Sequence, residues 1–219
     1  MKTTAIKGVF KKDDKLFTEN LESCKGIKVY NEKLIQHQNK EFRSWNPFRS
    51  KLAATLLKGL DIRIKPNATV LYLGAATGTT VSHVSDVVKN GMVYAVENSP
   101  IAMKTLIKLS KQRQNVIPIL EDANHPDRYR FLVPAVDLIY QDIAQRNQAE
   151  IFTENVASYL KKEGMGALMV KARSIDVALK PNQAYDRVCT HLRENGLRIL
   201  GTIDLAPYEK DHAVIAVSL

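Results

Sequence analysis

The sequence predicts an α/β fold: a mostly parallel, Rossmann-like sheet of seven strands flanked by helices, preceded by a small antiparallel β unit. Before about residue 50, brief β-branched and aromatic runs are broken by polar turns, which is typical of antiparallel strands. From Lys51 onward, apolar runs of strand length alternate with amphipathic segments of helix length. We therefore predict a β domain over residues 1–49 and a larger domain over residues 50–219.

Apolar runs place the strands of the larger domain, and the periodic segments between them place its helices. Only residues 206–211 separate the last two strands, too few for the crossover that a parallel pair requires, so these two should pair antiparallel. The predicted strands are 70–74, 92–97, 116–120, 136–142, 166–172, 197–205 and 212–219. The predicted helices are 50–60, 81–88, 100–111, 148–160 and 182–194. In the β domain the extended runs are 3–10, 15–20, 26–35 and 40–45.

The positive charge of the chain is concentrated at one end. Residues 1–65 hold 15 Lys/Arg against 7 Asp/Glu, whereas residues 66–219 hold 17 against 16. A basic segment favours a polyanionic partner such as RNA, because each neutralised phosphate releases condensed counterions. A merely soluble, lysine-rich surface would give the same count.

Other composition features exclude several classes of protein. No stretch approaches the roughly 18 apolar residues that cross a bilayer, so we expect no membrane partner. Cys24 and Cys189 lack the spacing of a metal site or a disulfide framework, and we expect no metal cofactor.

A cofactor loop follows the first strand of the larger domain, in the run VLYLGAATGTT at residues 70–80. Gly74 and Gly78 allow a sharp turn and a close approach of the backbone to a ligand. The second strand ends in Glu97, where a carboxylate can accept hydrogen bonds from ribose hydroxyls. The third is followed by Asp122 and Ala123, suited to an adenine amino group and ring. Three such features at successive strand ends favour a nucleotide-like cofactor over solvated strand-end residues.

Two other nucleotide-binding classes fit less well. A nicotinamide dehydrogenase is disfavoured because the chain lacks a Tyr-x-x-x-Lys pair and a second phosphate-binding half. A P-loop NTPase is disfavoured because Thr79, rather than a Lys-Ser/Thr pair, follows Gly78.

Two ionisable residues end the fourth and fifth strands at the same edge as the cofactor loop: Asp142 and Lys171. Partly desolvated there, an opposed Asp and Lys can tune each other's protonation. A structural salt bridge is the alternative interpretation. We expect Trp45 to anchor the domain junction rather than to stack on an RNA base.

Five separated blocks, in order, resemble the fibrillarin family. They are WNPFRSKLAA (45–54), LGAATGTTVSHVSD (73–86), IYQDIAQRNQAEI (139–151), KARSID (171–176) and PYEKDHA (207–213). The resemblance covers almost the whole chain and implies the fold of class I S-adenosylmethionine methyltransferases, whose sheet is parallel until a closing hairpin. It implies transfer of a methyl group from S-adenosyl-L-methionine to ribose 2′-hydroxyls of RNA.

Carried over residue by residue, the resemblance implies both a cofactor site and a catalytic set. The catalytic residues would be Lys51, Asp142, Lys171 and His212, with Glu209 as an alternative to His212. The cofactor contacts would be Gly74, Ala75, Gly78, Thr79, Thr80, Glu97, Asn98, Asp122, Ala123, Asp142, Ile143, Ala144 and Gln145.

The resemblance also implies partners: a box C/D guide RNA, target rRNA and possibly tRNA, a Nop-type scaffold protein and a kink-turn-binding ribosomal-type protein. A stand-alone RNA methyltransferase and a catalytically idle particle subunit are the alternatives. Without a long Gly/Arg-rich N-terminal extension, the sequence is expected to be archaeal-type and cytoplasmic; a eukaryotic one would be nucleolar.

Three positions depart from the family pattern. Asn98 stands where fibrillarins usually have Phe, Asn124 where they have Arg, and Arg146 where they have Pro. Loss of the ring at residue 98 would remove apolar contact with the cofactor, so we expect weaker cofactor binding than in relatives.

Overall fold

The structure, a computed structural model, describes all residues from 1 to 219 and contains two sheets. The N-terminal sheet has five antiparallel strands in the order β1-β2-β3-β5-β4. Its strands are β1 (Lys2–Thr3), β2 (Val9–Lys12), β3 (Lys15–Glu19), β4 (Leu34–His37) and β5 (Lys40–Trp45).

The larger sheet has seven strands in the order β11-β12-β10-β9-β6-β7-β8. Only β12 runs antiparallel to its neighbours, β10 and β11, so the predicted fold class and the closing hairpin are confirmed. Its strands are β6 (Thr69–Leu73), β7 (Met92–Glu97), β8 (Val116–Leu120), β9 (Val136–Gln141), β10 (Leu160–Lys171), β11 (Arg198–Asp204) and β12 (His212–Ser218).

Six helices connect these strands. Ser50 and Ser99 cap the first and third helices with side-chain hydroxyls that accept a backbone amide, and Pro100 follows Ser99 at the first helical position. The helices are α1 (Lys51–Leu57), α2 (Thr79–Val87), α3 (Pro100–Gln112), α4 (Gln148–Tyr159), α5 (Ala172–Ile175) and α6 (Pro181–Glu194). None of them is both long and apolar enough to cross a bilayer.

Three expectations about the elements were wrong. The run 3–10 was predicted to be extended throughout, but a turn over residues 5–8 separates β1 from β2. The run 26–35 was predicted to be extended throughout, but strand structure begins only at Leu34. The Glu32 carboxylate accepts the backbone amides of Val29 and Tyr30, which turns the chain before β4. In addition, β10 begins at Leu160, six residues before its predicted start at 166, because an irregular pairing lets it join β9 earlier.

Apolar side chains fill both faces of the seven-stranded sheet. On one face the core also includes Ile6, Val9, Leu16 and Trp45 of the N-terminal unit, which pack with residues of α2 and β6. The two sheets therefore share a core. A division into units at residue 49 stays a prediction.

Buried charges link the N-terminal sheet to α2. Arg43 of β5 pairs with Asp86 of α2 at 2.8 Å and with Glu32 at 2.6 Å, and all three side chains are fully buried. Arg113, at the end of α3, reaches the other Asp86 oxygen at 2.5 Å. Two guanidinium groups thus balance two carboxylates where the sheets meet.

His83 of α2 completes this junction. Trp45 stacks on its ring at 4.9 Å between centroids, so the predicted anchoring role of Trp45 is confirmed. Burial, and then the positive charges of Arg43 and Arg113, hold the pKa of His83 well below its ordinary value, so the ring is neutral. Its Nδ1 lies 2.8 Å from the Thr18 hydroxyl and its Nε2 lies 2.6 Å from the Tyr30 hydroxyl, so both ring nitrogens have hydrogen-bond partners on the N-terminal unit.

We predict that Asp86→Asn lowers the free energy of unfolding by ~3–5 kcal/mol, because it leaves two buried guanidinium groups short of a countercharge. Denaturant titration of the full chain measures this. The matched control is Glu19→Gln, which removes the exposed pair with Lys40 and should cost under ~1 kcal/mol. Equal losses in the two variants would contradict the role of Asp86.

Candidate active site

A cavity of about 230 Å³ opens where β6, β7, β8 and β9 end, which we call the carboxyl edge of the sheet. Ligands of open α/β sheets collect at this edge. The lining residues come from four successive strand ends: Gly74, Ala76, Val96, Glu97, Asn98, Glu121, Asp122, Ala123, Asp142, Ile143, Ala144 and Gln145.

The glycine turn and Glu97 form one wall of this cavity. Gly74 has a positive φ of 81°, and a Cβ there would collide with the carbonyl oxygen of Asp142, so only glycine lets these two strand ends approach. Glu97 accepts the Ala76 amide on one oxygen and the Ser99 amide on the other, each at 2.8 Å. Glu97 as a residue is only 9% exposed, and these two hydrogen bonds hold its carboxylate in place while lone pairs remain for a ligand's hydroxyls.

Asp122 is held at the opposite wall by Asn124. The backbone amide of Asn124 and then its side-chain amide donate to Asp122, and these hydrogen bonds lower the pKa of the carboxyl below its ordinary value. The same Asn124 side chain donates to Gln145 at 3.2 Å. Asn124 thereby ties the Asp122 loop to the segment after β9.

Lys51 and Asp142 form an ion pair at the mouth of the cavity. The Lys51 ammonium lies 2.9 Å from one Asp142 oxygen and 3.1 Å from the other, and both side chains are partly exposed. Lys51 is the first residue of α1, and Thr80 of α2 donates to its cap residue Ser50 at 3.1 Å. The pair therefore joins the entry to α1 with the end of β9.

Lys171 ends β10 beside β9, yet the expected Asp142–Lys171 pair does not form. Gln141 lies opposite Leu168, so Lys171 extends two residues beyond the position opposite Asp142, roughly 7 Å along the strand. Its ammonium makes no ion pair, because Asp142 is taken by Lys51. The structural salt bridge between Asp142 and Lys171, considered as the alternative, is therefore absent as well, and the ion pair at this edge joins Lys51 to Asp142.

Gln148, fully buried at the start of α4, fixes the backbone of Lys171. Its side-chain oxygen accepts the Lys171 amide at 3.0 Å, and its side-chain nitrogen donates to the carbonyls of Gln145 and Lys171. Gln141 in turn donates to the Gln148 carbonyl at 2.6 Å. No reasoning from the sequence alone had pointed to Gln148.

His212 begins β12 directly across from Lys171. Its Nδ1 lies 2.7 Å from the Lys210 carbonyl, which can only accept, so Nδ1 bears a proton and Nε2 keeps its lone pair in the neutral ring. Glu209 lies in the hairpin, 3.9 Å from His212 Nδ1. Of the two alternatives, His212 has the position beside Lys171.

The structure divides the predicted cofactor residues into two groups. Gly74, Glu97, Asn98, Asp122, Ala123 and the segment 142–145 line the cavity, together with Ala76, Val96 and Glu121, which were not predicted. Four predicted residues do not line it: Ala75, Gly78, Thr79 and Thr80. Gly78 adopts a positive φ of 90° before α2 and packs against Leu106 and Leu109. In the structure it allows the sharp turn into α2 and does not contact the cavity.

A family model described as Fibrillarin matches residues 1–219 of this chain. The chain belongs to the fibrillarin family. A fibrillarin-like rRNA/tRNA 2′-O-methyltransferase of Methanosarcina barkeri is 49% identical over 214 residues, covering 96% of this chain and 94% of the relative.

Two solved fibrillarin structures resemble the whole chain. Aeropyrum pernix fibrillarin with natively bound S-adenosyl-L-methionine has a TM-score of 0.86 at 41% identity, covering 95% of this chain and 92% of the other. A fibrillarin/Nop5p complex has a TM-score of 0.89 at 43% identity, covering 96% and 97%. The cofactor expected from the sequence is thus the one bound by a fibrillarin relative.

The three departures from the fibrillarin pattern have different surroundings. Asn98 is exposed at the cavity rim. Asn124 makes the link between Asp122 and Gln145, while Arg146 donates to the carbonyl of Ile175 at 3.3 Å. Asn124 therefore has a defined structural role in this chain.

We predict that Gln148→Leu destabilises the protein by roughly 1–3 kcal/mol for each buried group left without a partner. The amide of Lys171 should also exchange with deuterium faster, because its acceptor is gone. Hydrogen exchange combined with denaturant titration measures both. Thr153→Val on the same helix is the control; unchanged protection of Lys171 in Gln148→Leu would contradict the role of Gln148.

We predict that Asn124→Ala raises the pKa of Asp122 part of the way toward its ordinary value, since the backbone amide remains. A carboxyl whose pKa is lowered by folding stabilises the native state above its unfolded pKa and loses that effect as pH falls through the folded pKa. As pH falls through the folded pKa of Asp122, Asn124→Ala should therefore lose less of its free energy of unfolding than the wild type. Carboxyl NMR titration measures the shift, with Asp137, remote beside Lys161, as an internal reference that should not move.

Proposed function

We propose that this chain is an S-adenosylmethionine-dependent methyltransferase that methylates ribose 2′-hydroxyls of RNA. The observation that supports it is the arrangement at the carboxyl edge: a Lys51–Asp142 ion pair whose Asp142 lines the cavity, and an unpaired Lys171 with His212 directly across from it. The named activity of the relatives is of the same kind.

The residues of the cavity suit this cofactor. Glu97 presents a carboxylate held by two backbone amides to ribose hydroxyls, and Asp122 presents an ionised carboxylate to an adenine amino group. Gly74 lies against the Asp142 carbonyl, and both residues line the cavity where the methionine end of the cofactor would be held. The bound cofactor supplies a methyl group on a positively charged sulfur, already activated for in-line attack.

The remaining task is to make the ribose hydroxyl a better nucleophile. In the proposed mechanism, the Lys171 ammonium donates a hydrogen bond to the 2′-oxygen and stabilises the negative charge that develops on it. His212 is placed to accept the hydroxyl proton on Nε2, because Nδ1 is already occupied by Lys210. Lys51 adds positive potential and holds the Asp142 carboxylate in one orientation.

The finer part of the proposal concerns the assembly. We propose that the chain is the catalytic subunit of a box C/D guide-RNA particle acting on rRNA and possibly tRNA, with a Nop-type scaffold and a kink-turn-binding protein. The basic N-terminal unit supports an RNA partner, and a fibrillarin relative is known in complex with Nop5p. A guide-independent enzyme and an idle subunit remain the competing hypotheses.

One assay separates these hypotheses. Labelled cofactor and a target RNA are combined with the chain alone, or with guide RNA and scaffold proteins. Transfer only in the assembly supports the particle subunit; transfer without guide supports the stand-alone enzyme. Transfer under neither condition supports the idle subunit.

We predict that Lys171→Ala lowers the rate of methyl transfer by about 10²–10³-fold, as expected for loss of a donor to a developing oxyanion. Cofactor affinity, measured by calorimetry, should be unchanged because Lys171 does not line the cavity. Lys161→Ala, at the other end of the same strand, is the control and should retain full turnover. Wild-type rates in Lys171→Ala would overturn the mechanism.

A further inference from the structure

A second depression lies beside the candidate active site, between the N-terminal sheet, α1 and the β11–β12 hairpin. Its volume is about 490 Å³. We call it the aromatic cleft and define it by the six residues used below: Lys15, Tyr30, Lys33, Phe48, Arg49 and Tyr208. Nothing in the catalytic arrangement uses these side chains.

An exposed aromatic ring forms one side of the aromatic cleft. Phe48 is 62% exposed, which is unusual for a large apolar side chain. Tyr208 supports it in a T-shaped contact, with ring centroids 5.2 Å apart at 70°. The Phe48 ring is thus held in place while most of its surface stays open to a ligand.

Exposed cations surround the open ring. Lys15, Lys33 and Arg49 make no ion pair with the protein, whereas the two acidic residues nearby are engaged: Asp14 by Lys11 at 2.8 Å and buried Glu32 by Arg43 at 2.6 Å. The Arg49 guanidinium lies 5.0 Å from the centre of the Tyr30 ring. The cleft therefore combines aromatic rings with uncompensated positive charge.

Both sides of the cleft connect directly to predicted catalytic residues. Phe48 precedes Lys51 by three residues, so their Cα atoms are at most about 11 Å apart. Tyr208 precedes His212 in the same hairpin. Short chain segments thus join the aromatic cleft to the elements that hold Lys51 and His212.

We propose that the aromatic cleft binds an unpaired RNA nucleobase on Phe48, with adjoining phosphates against Lys15, Lys33 and Arg49. This proposal rests on the proposed function, since it assigns a subsite to the same RNA. Base–aromatic stacking between cationic side chains is a general way of holding single-stranded RNA. A protein partner fits less well, because Phe48 is the single large exposed apolar side chain in the cleft, far less than a stable protein interface buries.

The test uses the particle assembled with guide RNA and scaffold proteins, at saturating cofactor. Phe48→Ala should raise the RNA concentration needed for half-maximal methylation by about 5- to 100-fold, the usual effect of losing one stacked base, with the maximal rate retained. Phe48→Trp should behave like wild type because stacking is restored. Phe48→Leu, apolar but not aromatic, should behave like Phe48→Ala.

The source of the base is identified by photo-crosslinking with 4-thiouridine placed in either the substrate strand or the guide strand. A crosslink to the peptide containing Phe48 or Tyr208 from one strand names that strand as the source. If Phe48→Ala needs the same RNA concentration as the wild type for half-maximal methylation, and neither strand crosslinks, the cleft does not bind a nucleobase. The proposed function is unaffected by that result as long as the wild-type particle is active.

A different pattern would indicate a protein-binding cleft. In that case Phe48→Ala fails to co-elute with the scaffold while Phe48→Leu assembles normally, and the nucleobase proposal is overturned. An inactive wild-type particle that still crosslinks at Phe48 would instead overturn the proposed activity and support the cleft.

Discussion

Two guanidinium groups and two carboxylates, all removed from water, join the N-terminal sheet to the helices of the larger sheet. Burying any one of these charges alone would cost too much free energy. Together, the two positive and two negative charges compensate one another: Arg43, Arg113, Glu32 and Asp86. Each guanidinium is further satisfied by the carbonyl or hydroxyl of Ser82. Such a network accepts only one geometry, because a small shift of either sheet would leave a buried charge without its partner.

This constraint determines where Lys51 lies. Arg43 and Trp45 end the last strand of the N-terminal sheet, and a five-residue link leads from there to Lys51 at the start of α1. Asp86, the carboxylate that Arg43 and Arg113 share, belongs to α2, the helix that follows the glycine turn. The same helix contributes Thr80, which holds the cap residue Ser50. Fixing β5 against α2 therefore fixes the Lys51 ammonium against Asp142, although the network and the ion pair share no atom.

The parts of this structure that sequence reasoning could predict are those encoded locally. Apolar runs located six of the seven strands within about two residues, and residues at strand ends identified Glu97, Asp122 and Asp142 as neighbours of one cavity. Pairings over long separations could not be predicted: nothing near Arg43 in the chain indicates that its carboxylate is Asp86. Lys51 and His212 were identified through the family resemblance alone. Gln148 was overlooked because a glutamine at a helix start looks like an ordinary polar residue.

The antiparallel strand explains why His212 can belong to the same site. Parallel strands deliver residues to the carboxyl edge only from their ends, as β9 delivers Asp142 and β10 delivers Lys171. Because β12 runs the other way, its first residue reaches that edge, directly across from Lys171. The hairpin before β12 then lies on the same side, and it positions Tyr208 against Phe48 next to Lys51. Reversing a single strand thus adds both an imidazole and an aromatic ring to an edge that otherwise collects only strand ends.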